Sequence, residues 1–422
     1  MVPGGWVSLF PAVFHGKDNL LNKSLLALYT GFVGRRNGDE GLADLGMQLY
    51  ADALYQLRTS DLWSPRKKQL DVDAKLASII VFSRCELFTA QAGGGGYMAH
   101  VRGGLELLRR HATRLPRNEL SKMIVKKLRI LGLYATIRHR EPFFMSKEPF
   151  SSLYVAEPGD PDYIPQRGFE SMAKFPALAK RADELDTRKY TGTKAAMSGQ
   201  RTAQSLLEAA KTLAENLRSW HSELTAAIPA PKHAFAASTT GHATHGFPTG
   251  YLHYAGPGHN YVWMLYWVFA LYVNLLIKQL QIRHAQLASL LAEPRSLPSD
   301  LAELGISYDT LDEYAENISK SIFGTYHSSA LEAQETMAPI FTLQWYYEQR
   351  GDAVKIHRCI ETIRILEHEG LALDLRVQRA GSIPKARAGF LAELGKGMMP
   401  EAEAGILAEN SELSLGSKKT QD

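Results

Sequence analysis

The segment Tyr261–Ile277, YVWMLYWVFALYVNLLI, constrains the fold more than any other, because only Asn274 in it is strongly polar. A helix apolar on every side must be covered all round, by lipid or by protein. The segment sits at the short end of the about 17–25 residues that cross a bilayer. Trp263 and Trp267 lie inside the run rather than only at its ends. No second run matches it, and mean hydropathy is −0.20. A central helix buried in protein is therefore expected, with no membrane span.

Covering such a helix takes many others, and the chain supplies them. Leu42, Leu45, Leu49, Ala53 and Leu57 follow spacings of 3 and 4, which place them on one helix face. Asp71 is expected to N-cap a helix carrying Val72, Leu76, Ile79, Ser83 and Leu87. Val101, Leu105 and Leu108 repeat the pattern, and so do Ile124, Leu128, Leu131 and Ala135. Leu206, Ala210, Leu213, Leu217 and Trp220 resemble a short coiled-coil seam, for which packing within the chain is preferred to dimerisation. Leu311, Tyr314, Ala315, Ile318 and Ile322 form a further stripe, as do Ile356, Cys359, Ile360, Ile363 and Leu366. Strand-like alternation is scarce. The spacing predicts an all-α protein of about ten or more helices.

The length of 422 residues suits two or three average domains or one large helical unit. One helical unit is expected over residues 10–380, followed by a polar tail, 381–422, with one more helix near Arg387–Lys396. Pro142, Pro149, Pro158, Pro161 and Pro165 make residues 141–170 an expected extended connection. Residues 226–258, rich in Ala, Gly, Pro, Thr and His, are expected to form a long loop or a locally disordered insert.

Composition narrows the class further. With 45% hydrophobic and 22% charged residues the chain is no wholly disordered protein, collagen or multi-span membrane protein. The net charge of +4 gives only a mildly basic overall field. Two cysteines, Cys85 and Cys359, are too few and too far apart for a local zinc site or a disulfide framework, which favours a reducing compartment. The start, Met-Val-Pro-Gly-Gly-Trp, lacks the basic and apolar regions of a signal peptide. The sequons at Asn22 and Asn317 are accordingly read as chance matches.

Catalytic signatures are missing. The sequence holds no G-x-S-x-G elbow, no G-x-x-x-x-G-K-[ST] loop and no H-E-x-x-H helix. Gly93–Gly96 reads as a break between two helices rather than a phosphate cradle. His242, His245, His253 and His259 lie close in sequence, but their spacing matches no helical ligand pair, so surface imidazoles are preferred to a metal site. His100 reads as a helix-boundary or core residue. A basic stretch carries Arg102, Arg109, Arg110, Arg114, Arg117, Lys122, Lys126, Lys127, Arg129, Arg138 and Arg140 against only Glu106 and Glu119. Such a stretch suits phosphate or an acidic surface; the preferred reading is a solvated face balanced by acidic neighbours in the fold. Arg66-Lys67-Lys68 reads as a solvated turn, with nuclear targeting as its weaker reading. No catalytic, cofactor-binding or metal-ligating residue is assigned, and neither enzyme activity nor a cofactor is expected.

Residues 70–110, LDVDAKLASIIVFSRCELFTAQAGGGGYMAHVRGGLELLRR, combine an acidic helix start, a Cys-Glu-Leu-Phe helix end, a glycine and aromatic break and a His-Val-x-Gly-Gly helix. This block resembles the fungal-specific transcription factor domain, the helical middle region of zinc binuclear cluster regulators. The preceding stretch with Gly-Met-Gln-Leu-Tyr-x-x-Ala-Leu, the aromatic helix Tyr261–Ile277 and the pair around Met337–Glu348 and Ala353–Gly370 are similar to the same domain. The resemblance implies an all-α fold, a nuclear setting and a regulatory, non-catalytic role, with control of a fungal metabolic pathway. The departure is the zinc cluster, which two cysteines cannot build. No zinc-ligand or DNA-contact residue of the family carries over, and no direct sequence-specific DNA binding is expected. The expected partner is a protein, such as a complete DNA-binding regulator, with a small-molecule effector in addition. Two alternatives stand beside this reading: a shortened version of a full zinc-cluster regulator, and a helical small-molecule-binding protein whose Tyr261–Tyr272 aromatics line a pocket.

Overall fold

The computed structural model describes residues 19–59, 70–89, 95–111, 115, 119–153, 155–160, 162–188, 190–235, 250–256, 258–291, 308–326 and 337–368. Arg66-Lys67-Lys68, Arg114, Arg117, His242, His245, the tail 381–422 and both ends of the expected 10–380 unit lie outside them. The described residues are almost entirely helical, as the stripes predict. The helices are α1 (Asn19–Asn37), α2 (Glu40–Thr59), α3 (Leu70–Thr89), α4 (Gly95–His111), α5 (Glu119–His139), α6 (Tyr163–Met172), α7 (Phe175–Thr187), α8 (Thr193–Ala227), α9 (His259–Ser289), α10 (Tyr308–Tyr326), α11 (Met337–Arg350) and α12 (Ala353–His368).

Two helical hairpins share one turn chemistry. Gly38 and Gly351 take left-handed φ values of 67° after α1 and α11, a conformation glycine adopts without strain. The next residues, Asp39 and Asp352, cap the following helices through their carboxylates, which accept from Leu42 N at 2.9 Å and Lys355 N at 3.0 Å. Gly-Asp is thus the stop-and-start signal of both hairpins. In the first, α1 and α2 touch backbone to backbone. A Cβ on Gly46 would lie 2.6 Å from Gly31 Cα, and one on Gly34 2.8 Å from Ala43 Cα.

From α1 the chain builds one continuous core. α1 packs on α2 and α3, α3 on α4 and α5, α5 on α7, and α6 and α7 on α8. α9 joins the second half, touching α6, α7, α8, α10 and α11. Every residue from Asn260 to Leu271 is buried. By length and composition α9 is long and apolar enough to cross a membrane, with a mean hydropathy of 1.4 over its most apolar window, yet 83% of that window is buried inside the protein. Its cover includes the α8 seam, where Leu206, Ala210, Leu213, Leu217 and Trp220 are all buried. That seam is satisfied within the chain, and Trp220 Nε1 donates to Ile164 O on α6 at 2.7 Å.

Three expectations at element boundaries change. α3 starts at Leu70, so Asp71 lies in its first turn rather than before it. Residues 141–170 are not simply extended. They hold a 3₁₀ turn, Phe144–Ser146, and the start of α6. Pro165 falls in the first turn of α6, where a missing N–H costs nothing. Residues 226–258 hold the end of α8 and two short strands, β1 (Lys232–Phe235) and β2 (Gly250–His253), rather than only a loop. They pair antiparallel, with Lys232 opposite His253 and Phe235 opposite Gly250. Leu252, 3% exposed, anchors the ribbon to the core, and β2 packs on α10.

Candidate functional site

Three polar side chains from three helices meet beside the first hairpin. Tyr50 stands midway along α2, Glu86 in the last turns of α3 and His100 in the second turn of α4. The Tyr50 hydroxyl donates to Glu86 Oε1 and lies 2.7 Å from His100 Nε2. The same Glu86 oxygen is 3.6 Å from His100 Nε2. His100 Nε2 therefore faces both the Tyr50 oxygen and the Glu86 carboxylate. Phe82 closes the inner side, its ring centroid 5.5 Å from Tyr50 and 5.6 Å from His100. The first turn of α4 closes another side, since a Cβ on Gly96 would collide with the Glu86 carboxylate. A helix N-terminus favours a negative charge placed there.

The electrostatics match this arrangement. Hydrogen bonding to His100, and more weakly to Tyr50, holds the Glu86 carboxyl below its ordinary 4.5 against the opposing effect of burial. Burial, then the Glu86 carboxylate, push the Tyr50 hydroxyl far up. Burial raises the neighbouring Cys85 thiol as well. Cys359, in α12, is pushed up to about 12 by burial. Neither Cys85 nor Cys359 is in a disulfide, and neither is activated as a nucleophile, which requires a lowered pKa. The arrangement keeps a carboxylate ionised and a phenol protonated while fastening α2, α3 and α4 together.

The fold pairs part of the basic stretch. Lys126 pairs with Asp162. Arg129, 7% exposed, donates to Phe150 O at 2.9 Å. Arg140 reaches Asp183 Oδ1 at 2.9 Å and Ala179 O at 3.1 Å on α7. Arg110 and Lys122 pair within their own helices with Glu106 and Glu119, and Arg109 lies over the Phe144 ring. Carboxylates thus pair with four of the eleven basic side chains, Arg110, Lys122, Lys126 and Arg140.

The remaining sequence candidates do not converge. Of the four clustered histidines, the described pair lies at the end of β2 (His253) and the start of α9 (His259). Among the described residues no three His, Cys, Asp or Glu side chains are grouped to hold a metal. The α9 aromatics pack against neighbouring rings. His221 stacks on Tyr266 at 4.4 Å, Trp220 meets Phe269 at 6.1 Å, and Trp345 stacks on Tyr272 at 5.5 Å.

A cleft does open elsewhere, where α10, α11 and α12 meet. Ile322, Ile340, Leu343, Tyr347 and Cys359, all buried, are among the residues that line it. Sequence reasoning missed both this cleft and the Tyr50–Glu86–His100 contact. The available signal for the latter was that Glu86 and His100 flank the glycine break.

Fold and sites together define an all-α, multi-helix protein braced by buried polar contacts. No protein-family model, no curated protein and no solved structure matches the chain.

Proposed function

We propose that this chain is a transcription-regulator-like protein of the nucleus, acting in a metabolic pathway through a protein partner. The observation that supports this reading most is the meeting of Tyr50, Glu86 and His100. Each comes from a block that resembles the fungal-specific transcription factor domain: the Gly-Met-Gln-Leu-Tyr stretch, the Cys-Glu-Leu-Phe helix end and the His-Val-x-Gly-Gly helix. Residues far apart in sequence thus serve one contact, as the parts of one inherited unit would. Four of the eleven basic side chains, Arg110, Lys122, Lys126 and Arg140, pair with carboxylates inside the fold, and contact with DNA would pass through the partner. The buried α9 supports a role without membrane insertion.

The test is a tagged chain at its native locus, with imaging and transcript profiling after deletion. The expected result is a nuclear signal and a shift confined to a small set of transcripts. The purified chain should elute from duplex DNA at about 150 mM salt, as a protein without base-reading contacts does. A cytosolic or membrane signal with unchanged transcripts overturns the reading.

A further inference from the structure

We propose that the outer face of the α1–α2 hairpin is an interface with a second copy of this chain, closed by a two-fold axis into a four-helix bundle. A helix apolar all round must be covered all round. α9 has its cover, but α1 has it on one side only. Leu20, Leu21, Leu25, Ala27 and Leu28 are buried on the inner side of α1. Leu26, Tyr29 and Val33, three and four residues apart, share one outer face and are exposed. On α2, Leu45, Gln48, Asp52 and Tyr55 follow spacings of 3, 4 and 3 and are exposed as well. Lys23 Nζ lies 3.9 Å from Asp52 Oδ2, so the two faces adjoin. Among the described residues nine large apolar side chains are exposed. Five of them are Leu26, Tyr29, Val33, Leu45 and Tyr55, each 40% exposed or more. Apolar side chains gathered on one surface mark a contact with another protein, whereas scattered ones do not.

Charge selects the occupant. α1 carries Lys23, Arg35 and Arg36 and no acidic residue. α2 exposes Glu40, Asp44 and Asp52 against Arg58 alone. A basic helix beside an acidic one is self-complementary: α1 of each copy suits α2 of the other, whereas α1 against α1 is repelled. The levels match too. Gly46 packs against Gly31, and Gly34 against Ala43, so Val33 stands level with Leu45. Arg35 and Arg36 stand between the levels of Asp44 and Glu40. With the two-fold axis along the hairpin, both tips point the same way. Val33 then comes level with Leu45 of the second copy, and Arg35 and Arg36 with its Asp44 and Glu40. Neighbouring helices run antiparallel, as in an up-and-down bundle. The dimer goes beyond the regulator reading and does not rest on it.

Light scattering of the purified full chain over about 1–100 μM tests the interface. The expected mass at the upper end is twice the 46.9 kDa of one chain. Leu26→Glu with Val33→Glu changes two exposed positions, so the helical circular dichroism should be preserved while the dimer weakens about 100-fold or more. Charge reversal tests the pairing. A chain with Arg35→Glu and Arg36→Glu, and another with Glu40→Arg and Asp44→Arg, should each self-associate about tenfold more weakly. Mixing the two should restore the dimer, because each α1 then faces an α2 of opposite sign. A monomer at every concentration, which would hand the face to a different protein, overturns the proposal. So does a dimer untouched by Leu26→Glu with Val33→Glu, or a mixture no tighter than its parts. None of these readouts depends on where the protein resides or on transcription, so failure here leaves the regulator reading to its own test.

Discussion

At the scale of single residues, Glu86 is the group whose chemistry the fold changes most usefully. Its folded pKa lies below the ordinary 4.5, chiefly through His100. A lowered carboxylate pKa means that the unfolded chain binds the proton more readily. The stabilisation is therefore complete above about pH 4.5 and is lost as pH falls through the lower folded value. Glu86→Gln should lower the melting temperature at neutral pH and flatten the acid limb of the stability profile below pH 4.5. Tyr50→Phe, which leaves the carboxylate without its phenolic donor, should cost about 1–2 kcal/mol in urea unfolding. None of this contact was legible as a contact in the sequence. Periodicity reports which face of its own helix a residue occupies, and says nothing of which other helix faces it. His100 was read as a helix-boundary or core residue; it lies part-buried in the second turn of α4, and the reading misses its partners.

At the scale of elements, glycine sorts into roles that the letter alone does not distinguish. Gly103 and Gly104 are adjacent on α4. A Cβ on Gly104 would press on Ile79 and Leu128 at 3.1 Å, whereas one on Gly103 would meet nothing within 4 Å. Gly103→Ala should therefore stabilise by about 0.5–1 kcal/mol through helix propensity alone. Gly46→Leu should destabilise by about 2–3 kcal/mol or more, because α1 and α2 would have to separate. Equilibrium denaturation of both variants checks the pair. Most apolar stripes were legible because burial follows period, but Leu45 of the first is 46% exposed; the Gly-Asp hairpin signals were present at 38–39 and 351–352. The proline-rich stretch misled because Pro165 sits where a helix tolerates proline. The ribbon after α8 misled because strands of four residues give too little alternation to see.

At the scale of the molecule, α9 organises the second half. Its apolar perimeter announced that something must surround it, and protein does so. In a temperature-induced detergent phase separation the chain should remain in the aqueous phase; recovery in the detergent phase would mean that α9 leaves its core. The α10–α12 cleft had no sequence signature, since its lining comes from three separate helices. The cover of α9 also fixes how the protein can be watched. Four of its six tryptophans, Trp220, Trp263, Trp267 and Trp345, lie on α9 or on helices packed against it. Their ultraviolet emission reports the carboxy-terminal half of the fold, and replacing Trp6 and Trp63 by phenylalanine confines the signal to that half. Events around Glu86 would then be dark in fluorescence and bright only to a probe placed beside the first hairpin.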